Sequence, residues 1–306
     1  MRNESAIASP LFTRSVSSIT FTALLLVFTL VSCSKDTNSS NDLIGNWIRS
    51  SEFEGVGRTE AVSFTINNKL YIGAGFDGND RLKDFWSFDQ NTGTWLRIAD
   101  FPGPARNSAV AFSANGKGYV GTGVDENDNK LKDFWEYDPA TNTWTQKADF
   151  GGSARYGAVA FSVNDKGYIA TGYDGNYLKD CWEYDPAGDT WTQKASLTGS
   201  KRSDAVAFVY NGLAYVVTGF NNGSYLDDFW VYDASSNSWT EKSKIIDATD
   251  NTYDDDYGTN IERSGAVIFV MGSKAYLTCG NHSGIIGTTW EYDIPNDRWY
   301  QKTSFE

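Results

Sequence analysis

Along most of the chain, apolar and polar positions alternate in short runs closed by turn-forming residues. In one stretch Ala109-Val110-Ala111-Phe112-Ser113 leads into the turn Ala114-Asn115-Gly116, and Gly118-Tyr119-Val120-Gly121-Thr122-Gly123 follows. After a polar loop come Asp133-Phe134-Trp135-Glu136-Tyr137-Asp138, the turn Pro139-Ala140-Thr141-Asn142, and Trp144-Thr145-Gln146-Lys147. A period of two with Asn-Gly and Asp-Pro turn chemistry predicts four short strands in roughly 48 residues.

This block occurs five times. Its Arg stands at 58, 106, 155, 202 and 263 and its strand Tyr at 71, 119, 168, 215 and 276, so both series step by 48, 49, 47 and 61. A middle Trp falls at 86, 135, 182, 230 and 290, and a last Trp nine residues later each time. A four-stranded unit that cannot bury its own faces must stack on copies of itself, and the closed arrangement is a β-propeller. The strands of one block are called a to d, with a after the Arg and d at the last Trp. The tally is five a, b and c strands, with a sixth d strand at Trp47-Ile48-Arg49, which stands 11 residues before Arg58 as Trp95 stands before Arg106. The expected architecture is all-β: five four-stranded blades plus an extra N-terminal strand that adds to the last blade or acts as its clasp. Six blades, lacking an a, a b and a c strand, are the alternative.

The pattern breaks at the N-terminus. Arg2 and Arg14 precede Ile19 to Val31, a 13-residue stretch of apolar residues and Thr that ends at Ser32-Cys33. It is too short to span a bilayer as a helix and suits a signal-peptide core. Leu30-Val31-Ser32-Cys33 resembles the bacterial lipobox, which implies lipidation of Cys33 and membrane attachment through the acyl chains alone. Residues 34–46 are small and polar, as a flexible tether is. The expected organisation is a signal peptide over 1–32, a lipidated Cys33 with its tether over 33–46, and the propeller over 47–306. The expected location is the bacterial cell envelope, on the outer membrane.

Composition narrows the chemistry. The formal charge is −13, and −14 without residues 1–32, which argues against nucleic acid, whose binding needs clustered Lys and Arg. One His and three Cys exclude His-rich metal centres and Cys₄ sites.

Leu131-Lys132-Asp133-Phe134-Trp135-Glu136-Tyr137-Asp138-Pro139 and Leu178-Lys179-Asp180-Cys181-Trp182-Glu183-Tyr184-Asp185-Pro186 resemble the second half of the kelch motif, and the resemblance covers about residues 47–306. The family's Gly-Gly pair appears here as Ala74-Gly75, Thr122-Gly123, Thr171-Gly172, Thr218-Gly219 and Cys279-Gly280. The resemblance implies that the d-to-a and b-to-c connections emerge on one face around the axis and that this face binds the ligand.

Candidate contacts on that face are Asp77, Asp125, Asp174, Tyr177, Asn221, Tyr225 and His282 in the b-to-c connections, and Asn107, Tyr156 and Ser203, which follow the repeated Arg and vary from block to block. Asp, Asn and Gly are also what tight turns are made of. The Arg series is read as structural, because Asp84, Asp133, Asp180 and Asp228 recur in fixed register with Arg58, Arg106, Arg155 and Arg202, while Thr288 or Thr289 stands opposite Arg263. The Trp pairs read as core. Cys181 and Cys279 read as separate thiols.

Trp239 and Arg263 are 24 residues apart where other blocks use 11, and the extra segment carries Asp254, Asp255 and Asp256. Such an oxygen-rich run can hold Ca²⁺, though it lacks the Gly and closing Glu of an EF-hand loop and acidic runs are usually solvated. No other cofactor is expected. Copper-radical oxidases on kelch propellers use two His, which His282 alone cannot supply, whereas kelch-type mutarotases need no cofactor. The functional expectation is a non-catalytic, envelope-anchored module that binds a glycan or a protein partner. The alternative is a cofactor-independent carbohydrate-active enzyme of the mutarotase or lyase kind.

Overall fold

The computed structural model describes residues 47–243, 245 and 261–305. The signal peptide, Cys33, the tether and Asp254, Asp255 and Asp256 lie outside these residues. Twenty strands form five four-stranded antiparallel sheets in the order a-b-c-d. Blade 1 comprises Val62–Ile66, Lys69–Gly73, Phe85–Asp89 and Thr94–Ile98, and blade 2 Val110–Ala114, Lys117–Gly121, Phe134–Asp138 and Thr143–Lys147. Blade 3 comprises Val159–Val163, Lys166–Ala170, Cys181–Asp185 and Thr190–Lys194, and blade 4 Val206–Tyr210, Leu213–Val217, Phe229–Asp233 and Ser238–Glu241. Blade 5 comprises Val267–Met271, Lys274–Thr278, Thr289–Asp293 and Arg298–Lys302. The a strands line the axis, where Ala61, Ala109, Ala158, Ala205 and Ala266 keep a narrow channel open.

Alternation along strand a gives each blade an outgoing face. On it a Phe of strand a pairs with the Tyr of strand b, and the two rings stack at 4.7–5.5 Å in every blade. The next blade receives this pair on a small residue. A Cβ on Gly118 would stand 2.2 Å from the Phe64 ring, and one on Gly167 1.9 Å from Phe112; Ala214 and Ala275 hold the same place in blades 4 and 5. Four apolar clusters result, joining blades 1 and 2, 2 and 3, 3 and 4, and 4 and 5.

The repeated Arg is the covalent joint between blades. Its carbonyl accepts a 2.8 Å bond from the Gly at the end of the preceding blade's b strand, as Gly75 N–H to Arg106, Gly123 to Arg155, Gly172 to Arg202 and Gly219 to Arg263. Its side chain turns into its own blade. Arg58, Arg106 and Arg155 each grip their Asp through two nitrogens at 2.6–2.8 Å, Arg202 meets Asp228 at 2.5 Å, and Arg263 bonds the hydroxyl and carbonyl of Thr288 at 2.9 Å. Each Arg also bonds the carbonyl of the residue before the retained Gly. Those residues, Ala74, Thr122, Thr171, Thr218 and Cys279, have φ between 55° and 64°, a region that disfavours side chains and above all Thr. The guanidinium thus pins the carbonyl of a strained residue in every blade. Cys279 lies one residue beyond its b strand, and both it and Cys181 are free thiols.

The extra N-terminal strand is not made. Residues 47–51 have no strand conformation, and the place beside the blade 5 c strand is taken by Arg298–Lys302, which pairs with it through a local turn as in every other blade. The segment instead bridges blades 5 and 1 through side chains. Trp47 donates to the Thr303 carbonyl at 3.1 Å and sets its ring edge-on to Phe305 and Phe269. Ser51 bonds the Gly93 carbonyl, and Phe53 packs on Trp86 and Trp95 of blade 1.

Candidate functional site

The connections that follow the repeated Arg converge on the axis. The second residue after it, Glu60, Ser108, Gly157, Asp204 or Gly265, has φ of 52–61° in each case. In that conformation Ser108 N–H bonds the Glu60 carbonyl, Gly157 that of Ser108, Asp204 that of Gly157 and Gly265 that of Asp204, at 2.8–3.1 Å. This circlet floors a cleft of about 780 Å³ whose walls include Arg81, Asn107, Asp128, Lys130, Tyr156 and Asn281. The volume falls within the range typical of small-ligand sites.

The side chains at the circlet differ in what holds them. Glu60 accepts from Asn107 Nδ2 and Ser108 Oγ. Arg81 reaches over from the blade 1 connection to Asn107 Oδ1 at 2.5 Å and to Asp128 at 2.7 Å, which ties the b-to-c connections of blades 1 and 2 together. Asp204 accepts from Ser203 Oγ at 2.7 Å and occupies the space above Gly157, where a Cβ would come within 2.6 Å of Asp204 Oδ1. Burial raises its carboxyl above the usual range, and the charge of Glu60 adds to the rise. Burial and the same two carboxylates raise the Tyr156 hydroxyl.

Of the candidates read from sequence, Asn107 and Tyr156 line the cleft, and Ser203 stands behind Asp204. Asp77, Asp125 and Asp174 do not present free carboxylates. Each accepts main-chain N–H groups of its own loop, from Asn79 and Asp80, from Asn127 and Asn129, and from Asn176. The bonds from Asp80 and Asn79 hold the Asp77 carboxyl below its ordinary value.

The remaining candidates meet their neighbours. Tyr177 sits edge-on to Tyr173 at 5.1 Å. Tyr225 stacks on His282 at 4.6 Å and donates to Asn281 Oδ1 at 2.7 Å, locking the blade 4 and blade 5 connections. His282 Nδ1 lies 2.7 Å from the Glu262 carbonyl. Asn221 pairs with Ser224 across a two-residue ribbon, and its Oδ1 is buried without a partner. Lys130 was not marked from the sequence; Glu60 and Asp204 stand in the variable pairs after each Arg, and Arg81, Asp128 and Asn281 in the b-to-c connections read as ligand-facing, though none of these five was picked as a contact. For Glu60 and Asp204 the signal was present in the variable pair after each Arg, of which only the first member was taken in most blades.

The repeated Arg side chains lie at most 2 % exposed in blades 1 to 4 and point away from the cleft into their blades. Among the described residues no three His, Cys, Asp or Glu gather as metal ligands, and burial pushes the Cys181 thiol up, away from the thiolate.

The family model described as the KLHDC2/KLHL20/DRC7 Kelch-repeats domain matches residues 102–253, and the Kelch motif model matches residues 57–102. No curated protein matches the chain. Among the solved chains similar to it, the one titled "Structure of YjhT" is 16% identical with a TM-score of 0.67, over 82% of this chain and 85% of that one. At that identity the likeness concerns the fold.

Proposed function

The chain is a kelch-repeat β-propeller, and we propose that it is a non-catalytic binding module that takes a polar ligand, a glycan in the first instance, in the cleft at its axis. Kelch propellers commonly serve as binding or scaffold modules, generally toward proteins. The observation that carries the glycan reading is the cleft itself. A frame repeated from blade to blade holds a polar rim whose side chains vary between blades, with Tyr156 as an aromatic wall. A constant frame with a varied rim is how a scaffold carries recognition. Binding to an immobilised oligosaccharide panel tests it. Tyr156→Ala and Asn107→Ala should abolish retention with an unchanged melting temperature, whereas turnover of any sugar in the panel would replace this reading with the enzymatic one.

The lipobox-like Leu30-Val31-Ser32-Cys33 supports the further proposal that the propeller is tethered to the bacterial envelope by a lipidated Cys33. Cys33→Ala should release it from membranes, and an unmodified mature N-terminus other than Cys33 would overturn the anchor.

A further inference from the structure

The charges in the axial cleft are not evenly partnered. Its basic side chains are engaged: Arg81 bonds Asp128 and Asn107, and Lys130 lies over the Tyr173 ring at 5.8 Å. Its two innermost carboxylates have only neutral donors, Asn107 and Ser108 for Glu60 and Ser203 for Asp204. Among the described residues neither takes part in an ion pair. Both hang from the same backbone position, in blades 1 and 4, and both turn toward the side of blades 2 and 3: Glu60 accepts from Asn107 and Ser108, and Asp204 Oδ1 stands over Gly157. The two carboxylates therefore lie over neighbouring places of the circlet inside the cleft, near enough for the charge of Glu60 to act on Asp204, and Tyr156 belongs to the same lining.

From this geometry we infer that the cleft takes a saccharide carrying a protonated primary amine, with the ammonium set between Glu60 and Asp204 and the sugar ring against Tyr156. This rests on the cleft being the ligand site and narrows its ligand class. An ammonium supplies three donors and one positive charge, which is what two carboxylates with unfilled acceptor positions lack. An N-acetylated sugar of the same size brings no charge and leaves both acids without a counter-ion. An anionic sugar would meet them with repulsion. The raised carboxyl of Asp204 marks the same deficit, since a bound cation would favour its ionised form.

The test uses calorimetric titration of the propeller with a β-1,4-linked glucosamine tetramer, with its fully N-acetylated counterpart, and with the peptide Gly-Lys-Gly. The amino tetramer should bind at neutral pH, at least tenfold more tightly than the acetylated one. Asp204→Asn and Glu60→Gln should each weaken it at least tenfold while the melting temperature of Asp204→Asn holds or rises, since an Asn is tolerated at that positive φ and removes a buried charge. Affinity should fall as the pH drops through the range in which Asp204 takes up its proton. Equal binding of both tetramers, unaffected by Asp204→Asn, would overturn the amine assignment and leave the binding module standing. Binding of Gly-Lys-Gly without either tetramer would overturn the saccharide class, and failure of all three probes would overturn the inference altogether.

Discussion

The joint between blades 2 and 3 and the seam between blades 5 and 1 are built from the same repeat, yet only the first is a propeller joint in full. At the joint Val110 is 3% exposed, the Phe112 ring lies over Gly167, Tyr119 meets Tyr184 at 5.5 Å, and the Tyr184 hydroxyl bonds Asp189, which in turn accepts the N–H of Ala148 from the preceding blade. At the seam Val267, in the place of Val110, is 55% exposed. The residues of blade 1 that should receive blade 5 are Leu70 for the Gly, Phe88 for the Tyr and Gly93 for the Asp. Each change removes one element of the joint: room for a ring, a hydroxyl, and a capping acceptor. The Trp95 indole N–H is buried without a partner, as is that of Trp299 at the joint of blades 4 and 5, whereas Trp144, Trp191 and Trp239 each donate to the preceding blade. Residues 47–53 fill in from outside, and one job is divided. At the joint Phe150 both bonds the Lys132 carbonyl of blade 2 and packs on the Trp182 and Trp191 rings of blade 3. Across the seam Phe305 makes the backbone bond, to Gly287, and Phe53 makes the ring contacts. Repetition supplies the joint, and departure from repetition marks where the chain must begin and end.

The strongest way to separate the two regions is to remove the joint's arginine. Arg155→Ala strands Asp180 and releases the Thr171 carbonyl, so it should cost about 3–5 kcal/mol in denaturant unfolding. Arg263→Ala removes the bonds to Thr288 and to the Cys279 carbonyl and should also lower stability, by about 1–3 kcal/mol. An Arg155→Ala protein with unchanged melting but lost ligand binding would instead make the arginines functional. The Arg-Asp pairs of blades 1 and 4 bear on the acid limit. Burial alone would raise Asp84 and Asp228, but the bonds and charge of Arg58 and Arg202, with Trp86 and Trp230, outweigh it and hold both carboxyls low. Their folded values lie below the unfolded one, so their contribution is full above about pH 4 and is lost as the pH falls through the folded values. Unfolding followed from pH 6 downward should show stability declining in that window, and a flat profile would contradict it.

Overpacking gives the next largest contrast. Gly167→Leu drives a side chain into the Phe112 ring and should cost about 1–3 kcal/mol or more, whereas Leu70→Gly at the seam meets no incoming Phe of blade 5. If the Leu70 variant lost as much as the Gly167 variant, the seam would be packed like the joints. The bridge itself is tested by Phe53→Ala, which removes the contacts to Trp86 and Trp95 and should lower stability by about 1–2 kcal/mol.

Much of this was legible in the sequence because a repeat makes each position report five times. The blades, the Arg-Asp register, the Trp pairs and the reason for the retained Gly all follow from spacing: a Cβ at Gly75 would stand 2.6 Å from the Thr59 carbonyl. The Thr59-Glu60 to Ser264-Gly265 series was visible as variation, yet that the second residue joins the first in the cleft depends on a positive φ that places it on the axis, and spacing does not encode that. The seam was legible too, as Leu70, Phe88 and Gly93 breaking three otherwise regular columns, but the regular Trp47 spacing suggested a strand. Trp47 keeps the spacing while its ring sits against Phe305 and its backbone joins no strand.

The smallest effect is the most direct reading of exposure. Val110→Ala, at the joint, deletes methyl groups from a closed core and should cost about 1–2 kcal/mol through lost burial and the cavity left behind. Val267→Ala removes the same atoms from a side chain already half in water, so the transfer lost is small and solvent fills the space; the cost should stay within about 0.5 kcal/mol. Unfolding of the two variants side by side, each against the parent chain, reads the difference. Equal losses would mean that in solution the outgoing face of blade 5 is covered as tightly as the others, which would require Leu70 to yield to Phe269 and would end the distinction between joint and seam.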